Sequence, residues 1–388
     1  MDTLIDLYRT LLARTDTGFV RYLHEKIDWS ARMFGIMGAR GVGKTTLLLQ
    51  HIKLHLDTEK SVYVDAGDVY FSENRLFDFA NSFYKNGGKH LFVDEIHKYA
   101  EWSKELKMCY DYFPDLQVVF TGSSILDIYR GSDDLSRRAL SYKMVGLSFR
   151  EYLVMSQKLD IEPYTLDEIL ANKAEPPLEH PLPLFKQYLQ RGYYPFYADT
   201  GYELRLQNII NQTLENDIPI FAKMNAATSR KLKQLLYIVA QTVPFKPNFN
   251  KLAESVETHR NQVKDYLCFM EQAGLIFQLQ TDVNGLRALA KTEKIYLDNT
   301  NLSYAIAQQN TDIGNMRETF FANQMSVNHK VTSSEKADFV IDGKTFEVGG
   351  RQKNQKQITC VKNAFVVKDE IEYGYQNIVP LWAFGLNY

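Results

Sequence analysis

An α/β fold is predicted, and three stretches predict it. The first runs from Met33 to Gln50. There the apolar Met33-Phe34-Gly35-Ile36-Met37 meets Gly38-Ala39-Arg40-Gly41-Val42-Gly43-Lys44-Thr45, followed by Thr46-Leu47-Leu48-Leu49-Gln50. A strand, a glycine loop and an apolar helix follow one another. The loop fits G-x-x-x-x-G-K-[ST], the P-loop pattern, in the context that confirms such a match. The second stretch is His90-Leu91-Phe92-Val93-Asp94-Glu95, an apolar run ending in two carboxylates. The third is Gln117-Val118-Val119-Phe120-Thr121-Gly122-Ser123-Ser124, an apolar run ending in hydroxyls. Strands this apolar are expected to be buried on both faces.

The loop asks for these residue types on physical grounds. Gly38, Gly41 and Gly43 let the backbone turn and approach phosphates without Cβ clashes. Successive N–H groups from Gly38, Ala39, Arg40, Gly41, Val42 and Gly43 through Lys44, Thr45 and Thr46 then form an anion nest at a helix N-terminus. Lys44 is expected to reach the β- and γ-phosphates of ATP, and Thr45 to ligate Mg²⁺. Asp94, at the end of a buried strand, is the second expected Mg²⁺ partner. Glu95 follows at the strand edge, where it can polarise an attacking water, so it is the expected catalytic base. Thr121 and Ser123, with Ser124 third, are candidates to sense the γ-phosphate; the alternative is that Ser123 or Ser124 simply caps the helix that Ile125 begins.

At 388 residues the chain should hold two or three domains, and 45% apolar content supports sizeable cores. A net charge of −2 excludes a global basic field for nucleic acid, though a local patch stays open. Cys109, Cys268 and Cys360 show no C-x-x-C or zinc spacing, which points to a reducing cytoplasm. The first residues carry neither a basic n-region nor a continuous apolar run, so no signal peptide is expected. No apolar run has the length of a membrane span, so no membrane partner is expected.

Taken in order, Leu4, Leu7, Tyr8, Leu11 and Leu12 recur at helical spacing. Thr15-Asp16-Thr17-Gly18 breaks that helix, and Phe19 to Ile27 resumes it, giving a lead-in helical pair against the core. Ser61-Val62-Tyr63-Val64-Asp65 reads as a strand, and Glu73 to Tyr84 as a helix. After the third strand come Arg137 and Arg138. They serve either as surface charges or as a guanidinium delivered to the γ-phosphate, which would stabilise charge in transfer. Delivery from a neighbouring copy would couple hydrolysis to a homo-oligomer.

These residues carry a resemblance. Gly38–Thr45, Asp94-Glu95-Ile96-His97 with Trp102, Phe120-Thr121-Gly122-Ser123-Ser124, Leu135-Ser136-Arg137-Arg138-Ala139 and Leu147-Ser148-Phe149-Arg150-Glu151-Tyr152-Leu153 resemble a large prokaryotic family. These are AAA-type ATP-binding proteins in which an ATPase core precedes a winged helix and a C-terminal restriction-endonuclease-like domain. The resemblance covers nearly the whole chain and implies an additional-strand P-loop NTPase fold using ATP and Mg²⁺. Its arginine segment reads Leu-x-Gly-Arg, which puts Arg138 on the matching position and Arg137 where a glycine stands.

The expected organisation is therefore an ATPase domain over 1–150, a helical lid or linker over 151–225, a winged helix over 226–290 and a small α/β restriction-endonuclease-like domain over 291–388. Glu175-Pro176-Pro177-Leu178-Glu179-His180-Pro181-Leu182-Pro183 breaks the helical segment. Tyr193 and Tyr194 are expected to pack rather than stack on a base. In the winged helix, Thr258 is expected to cap a helix with the stripe Val263, Tyr266, Leu267 and Met270, and Asp282-Val283-Asn284-Gly285 to form the wing turn. His259, Arg260, Asn261, Gln262 and Lys264 are groove-reading types near its N-terminus, so DNA is a candidate partner. Connection of domains is the alternative.

Lys294-Ile295-Tyr296-Leu297-Asp298 is expected to open the last domain. There Asp338 and Glu347, with Glu318, match a restriction-type metal site, with a hairpin turn at Asp342-Gly343. The lysine expected two positions past Glu347 is Gly349 instead. Lys344 should face away, and Arg351, Lys353 or Lys356 reach in only if the chain bends. The function expected is an Mg²⁺-dependent ATPase driving a conformational change, with an ATP-regulated nuclease or a nucleotide-gated scaffold as alternatives.

Overall fold

The computed structural model describes residues 2–122, 135, 137–222, 224–242, 246–281, 292–307, 312–354, 358 and 361–388. The chain divides into two compact units, Met1–Gly146 and Leu147–Tyr388.

The first unit is a five-stranded sheet. Its strands are β1 (Met33–Met37), β2 (Ser61–Asp65), β3 (His90–Asp94), β4 (Gln117–Gly122) and β5 (Leu140–Lys143), in the order β2-β3-β4-β1-β5. Every pairing is parallel. The third apolar stretch, β4, thus lies between the strand that feeds the glycine loop and the strand that ends in Asp94. All five residues of β1 are buried, as expected of a strand covered on both faces.

Six helices among the described residues accompany this sheet: α1 (Asp2–Arg14), α2 (Leu23–Lys26), α3 (Lys44–His55), α4 (Tyr70–Glu73), α5 (Leu76–Lys85) and α6 (Trp102–Tyr112). Leu4, Tyr8 and Leu12 form the buried face of α1, while Leu7 and Leu11 stay exposed. Lys53 on α3 donates to the carbonyls of Ala13 and Thr15, closing the α1 C-terminus. The expected second lead-in helix shrinks to one turn. Backbone carbonyls of this stretch, Asp16 and Phe19, are instead taken by the Gln50 side chain, so the segment follows α3 rather than its own helical ladder. The expected helix from Glu73 likewise splits into α4 and α5 at an extended Asn74.

The second unit begins with Phe149–Gln157, whose N-terminus carries a capping box of Ser148 and Glu151. Pro181 and Pro183, expected to break the chain, sit instead in the first turn of Pro181–Arg191, where a missing N–H costs nothing. Tyr193 and Tyr194 are buried. Helices Ala226–Thr242, Phe249–Ser255 and Arg260–Gln272 lead into β6 (Ile276–Gln280), which pairs antiparallel with β7 (Thr292–Leu297). Two expectations change here. The strand expected to open the last domain pairs with β6. The helix N-cap falls on His259, while Thr258 bonds the side chain of Gln262. The wing turn at 282–285 lies outside the described residues.

The last sheet has the order β12-β11-β10-β9-β8, from β8 (Thr332–Ser333), β9 (Phe339–Ile341), β10 (Lys344–Gly349), β11 (Ala364–Lys368) and β12 (Ile378–Pro380). The turn between β9 and β10 uses positive φ at Asp342 (51°) and Gly343 (73°), a two-residue hairpin. One core within the second unit joins Phe149, Phe185 and Tyr188 to Leu279, Tyr296, Phe320, Phe346 and Trp382. No helix among the described residues is long and apolar enough to cross a membrane.

Candidate functional site

Strand β1 ends at Met37 and the glycine loop begins. Gly41 and Gly43 hold φ of 80° and 100°, the left-handed backbone that glycine adopts without penalty. Gly38 is needed for a different reason: a Cβ there would lie 2.1 Å from the carbonyl oxygen of Met144. Helix α3 starts at Lys44, so the N–H groups of the loop end and of Thr45 and Thr46 belong to a helix N-terminus. Lys44 is buried and donates to the carbonyls of Gly38 (2.8 Å) and Ala39 (2.9 Å).

The register of β3 and β4 brings the other half to this loop. Asp94 is 2% exposed and its carboxylate is fully subscribed. Oδ2 accepts from the Thr45 hydroxyl at 2.5 Å and the Tyr63 hydroxyl at 2.7 Å. Oδ1 accepts from Thr121 and from the Glu95 N–H. The expected neighbours Thr45 and Asp94 are therefore joined directly. Thr121 also accepts the Glu95 N–H at 3.1 Å and is wholly buried, so its hydroxyl ties Asp94 to Glu95 behind the loop. Burial and the charge of Asp94 raise the Tyr63 phenol, which stays a proton donor.

Glu95 sits at φ 49°, a left-handed position that costs a non-glycine residue energy and marks functional sites. Its Oε2 is buried and accepts no hydrogen bond. Arg40 stands 3.5 Å away and Lys98 at 3.7 Å, with the His97 ring also at 3.7 Å, so the carboxylate has two cations beside it and lone pairs to use. Lys98 also reaches Asp65 at 3.7 Å. A hydroxyl and a carboxylate at one point form a hard-oxygen donor set of the kind Mg²⁺ takes, and the orphaned Glu95 oxygen suits a water. The residues present fit both.

Arg138 does not join this group. It makes a two-pronged pair with Asp111, at 3.0 and 3.2 Å, at the end of α6. The reason is topological: Arg138 precedes β5, whose first residue pairs with Phe34 at the start of β1, whereas the loop follows the end of β1. The two ends of a five-residue strand are about 15 Å apart. Ser123 lies outside the described residues. Arg21 was not legible as a site residue. It is 5% exposed and its guanidinium donates to the carbonyls of Val42 in the loop, Val145 and Gly146. Tyr63 was missed as well, although its place two residues before the end of β2 put it on the side of Asp65.

Residues 30–153 match a family model described as an AAA domain. This segment is an AAA-type ATPase-like domain. Residues 182–312 match a family described as a domain of unknown function. An uncharacterized protein of Methanocaldococcus jannaschii is 27% identical over 303 residues, which span 70% of this chain and 63% of that relative. The chain thus matches under two thirds of the relative's length. Among solved structures, the Walker-type ATPase of Pyrococcus abyssi is similar with a TM-score of 0.48 and 12% identity, covering 74% of this chain and 96% of that one. The PCH-2 protein of C. elegans follows with a TM-score of 0.26 and 14% identity, covering 69% and 67%.

The second unit holds a separate charged cluster. Lys294 lies 3.2 Å from both Glu318 and Asp338, and the Tyr296 hydroxyl donates to Glu318 at 2.8 Å. Burial raises the Glu318 carboxyl, and the charge of Asp338 adds to it. Burial pulls Lys294 down, but the two carboxylates outweigh it and raise its pKa. Asp338 accepts the Val348 N–H at 2.9 Å. Glu347 meets Lys353 at 2.5 Å. A Cβ at Gly349 would fall 2.6 Å from Lys353 Cδ and 2.7 Å from its Cγ, so Lys353 fills the space expected to be vacant beside Gly349. The turn that allows this closes with the Lys353 N–H on the Gly350 carbonyl. Lys344 faces away and pairs with Asp167 at 3.2 Å.

Proposed function

We propose that this chain is an Mg²⁺-dependent ATPase in which the Asp94–Glu95 pair works on the γ-phosphate of ATP held by residues 38–46. The buried, unbonded Oε2 of Glu95 beside a fully subscribed Asp94 carries the reading. The loop amides and Lys44 bind and orient the phosphates. Lys44 would exchange its two carbonyl acceptors for phosphate oxygens. Thr45 and Asp94 would hold Mg²⁺, which offsets phosphate charge when bound. Glu95 takes the proton of the attacking water, held in aim by Arg40 and Lys98. Thr121 and Tyr63 act as positioning residues through Asp94. A neighbouring copy of the chain using Arg138 would first have to break the pair with Asp111.

Hydrolysis is read as driving a conformational change on DNA. The helix-helix-helix-hairpin order over 226–297 supports a winged helix, and His259, Arg260, Asn261, Gln262 and Lys264 are all exposed on it. The test is phosphate release by the full chain with and without duplex DNA, for wild type, Lys44→Ala and Glu95→Gln. Turnover lost in both variants and stimulated by DNA is the expected result. A wild type no faster than Lys44→Ala defeats the reading.

A second reading, a metal-dependent nuclease in the second unit, is favoured by Lys353, which supplies the ammonium missing at Gly349. Lys294 between Glu318 and Asp338 occupies a cation's position and weighs toward binding without cleavage. Plasmid degradation with Mg²⁺ or Mn²⁺, abolished in Glu347→Ala, would support the nuclease.

A further inference from the structure

Three histidines of the first unit gather away from the phosphate loop. His51 and His55 are one turn apart on α3, hence on one face. His24 comes from α2. The ligating nitrogens of all three lie within 4.8 Å of one another, the only such group of metal-ligating side chains among the described residues. We propose that His24, His51 and His55 form a binding site for a divalent cation of the zinc class, with solvent as the fourth ligand.

The geometry is close to what such an ion needs. At a Zn–N distance of about 2.0–2.1 Å, the edge of a tetrahedron is about 3.4 Å. His24 Nε2 and His51 Nδ1 are already 3.1 Å apart. His55 must move inward by about an ångström, and it is exposed, so its side chain has room to turn. Imidazoles alone suit zinc, copper or nickel rather than Mg²⁺. His24 Nε2 and His51 Nδ1 share a hydrogen bond, which an ion seated between them would replace.

The surroundings are those of a supported site. Trp29 lies flat on His51, with ring centroids 3.5 Å apart and an interplanar angle of 7°. Its indole N–H donates to the His24 carbonyl at 2.8 Å. One side chain thus fixes the plane of one ligand and the backbone of another, which is what supporting residues around a metal do. His51 is buried together with its ring nitrogens, polar groups that an aliphatic side chain there would not have carried inside. The consequence is mechanical. The ion would join α2 to α3, the helix that begins at Lys44, and His51 lies two turns along it, about 10 Å from the loop.

The test uses the full chain, stripped with chelator and titrated with Co²⁺. One equivalent is expected to give the strong visible bands of four-coordinate nitrogen ligation, displaced by Zn²⁺, and Zn²⁺ is expected to raise the melting temperature by several degrees. His55→Ala removes an exposed ligand without emptying the core, and His24→Gln removes another. Each is expected to abolish the bands and weaken affinity at least tenfold, while Glu347→Gln leaves them intact. A wild type without the bands, or bands that survive both histidine variants, overturns the proposal. It does not depend on the ATPase reading.

Discussion

Truncating Arg21 probes how the P-loop is held from behind. Its guanidinium is 5% exposed and serves three carbonyls, Val42 at 2.5 Å, Val145 at 2.8 Å and Gly146 at 2.9 Å. A hydrogen bond from a charged donor is worth about 1.5–3 kcal/mol net, and burying the charge costs several kcal/mol in return. Arg21→Ala removes both terms but leaves three carbonyls short of a partner. The balance is a loss of about 3 kcal/mol, a factor of about 150 in the unfolding equilibrium. For a domain of about 150 residues that lowers the melting temperature by about 6–12 °C. Because Val42 belongs to the loop, ATP affinity should fall as well. Calorimetry of the full chain, together with binding of a fluorescent ATP analogue, measures both. Arg21→Lys keeps the charge but only one donor cluster and should fall between. An Arg21→Ala chain that melts within about 1 °C of wild type and binds nucleotide unchanged refutes the bracing argument.

Gly38→Ala drives a methyl to 2.1 Å from the Met144 carbonyl, a backbone atom that cannot swing aside. It should cost about 1–3 kcal/mol and weaken nucleotide binding, read by urea unfolding and by the same analogue. Thr121→Val keeps the shape and removes the link between Asp94 and Glu95. Turnover should drop about tenfold or more with little change in ATP affinity, which kcat and KM separate. Burial raises the Glu347 carboxyl above its ordinary 4.5, Lys353 offsets part of this, and Asp338 adds to it. The folded chain then holds a proton that the unfolded chain has lost, so this residue's contribution to stability falls as the pH climbs from 4.5 through the raised value. Urea midpoints should show the wild type losing ground to Glu347→Gln over that climb, and a constant gap would contradict it.

The first unit was legible because its signals are local. Gly38 to Thr45 specify a backbone path, and the apolar runs that end at Asp94 and Thr121 specify buried parallel strands. The position of β4 between β1 and β3 agrees with the additional-strand fold that the family resemblance implies. The braces were illegible because they act between residues far apart in sequence. Arg21 reaches Val145 across 124 positions, and Gln50 holds the carbonyl of Phe19 across 31. Nothing in Phe19 to Ile27 announces that its backbone will be satisfied by side chains of α3 rather than by a helix of its own. The partner of the strand at 292–297 was not legible for a related reason. Its apolar end suits either sheet, and only the pairing of Ile276 with Leu297 decides.

The cluster around Glu347 separates two questions that a motif runs together. Strand alternation gave a sound answer about position 349: it shares the face of Glu347 and has no side chain. It gave no answer about the space beside it, because that space belongs to whichever chain segment can turn into it. One residue beyond the strand the backbone turns on Gly350, and Lys353 lays its methylenes where a side chain at 349 would have been. The glycine is therefore the condition for the lysine's approach. Substituting Gly349 with Ala would expel Lys353 from Glu347, since 2.6 Å between carbons is closer than real contacts allow. The carboxylate, 3% exposed at its side chain, would lose the nearby ammonium of Lys353 while staying buried. An ammonium delivered from four residues downstream and one delivered from the strand itself are chemically equivalent at the carboxylate, and they differ only in what the neighbouring backbone must give up to make room.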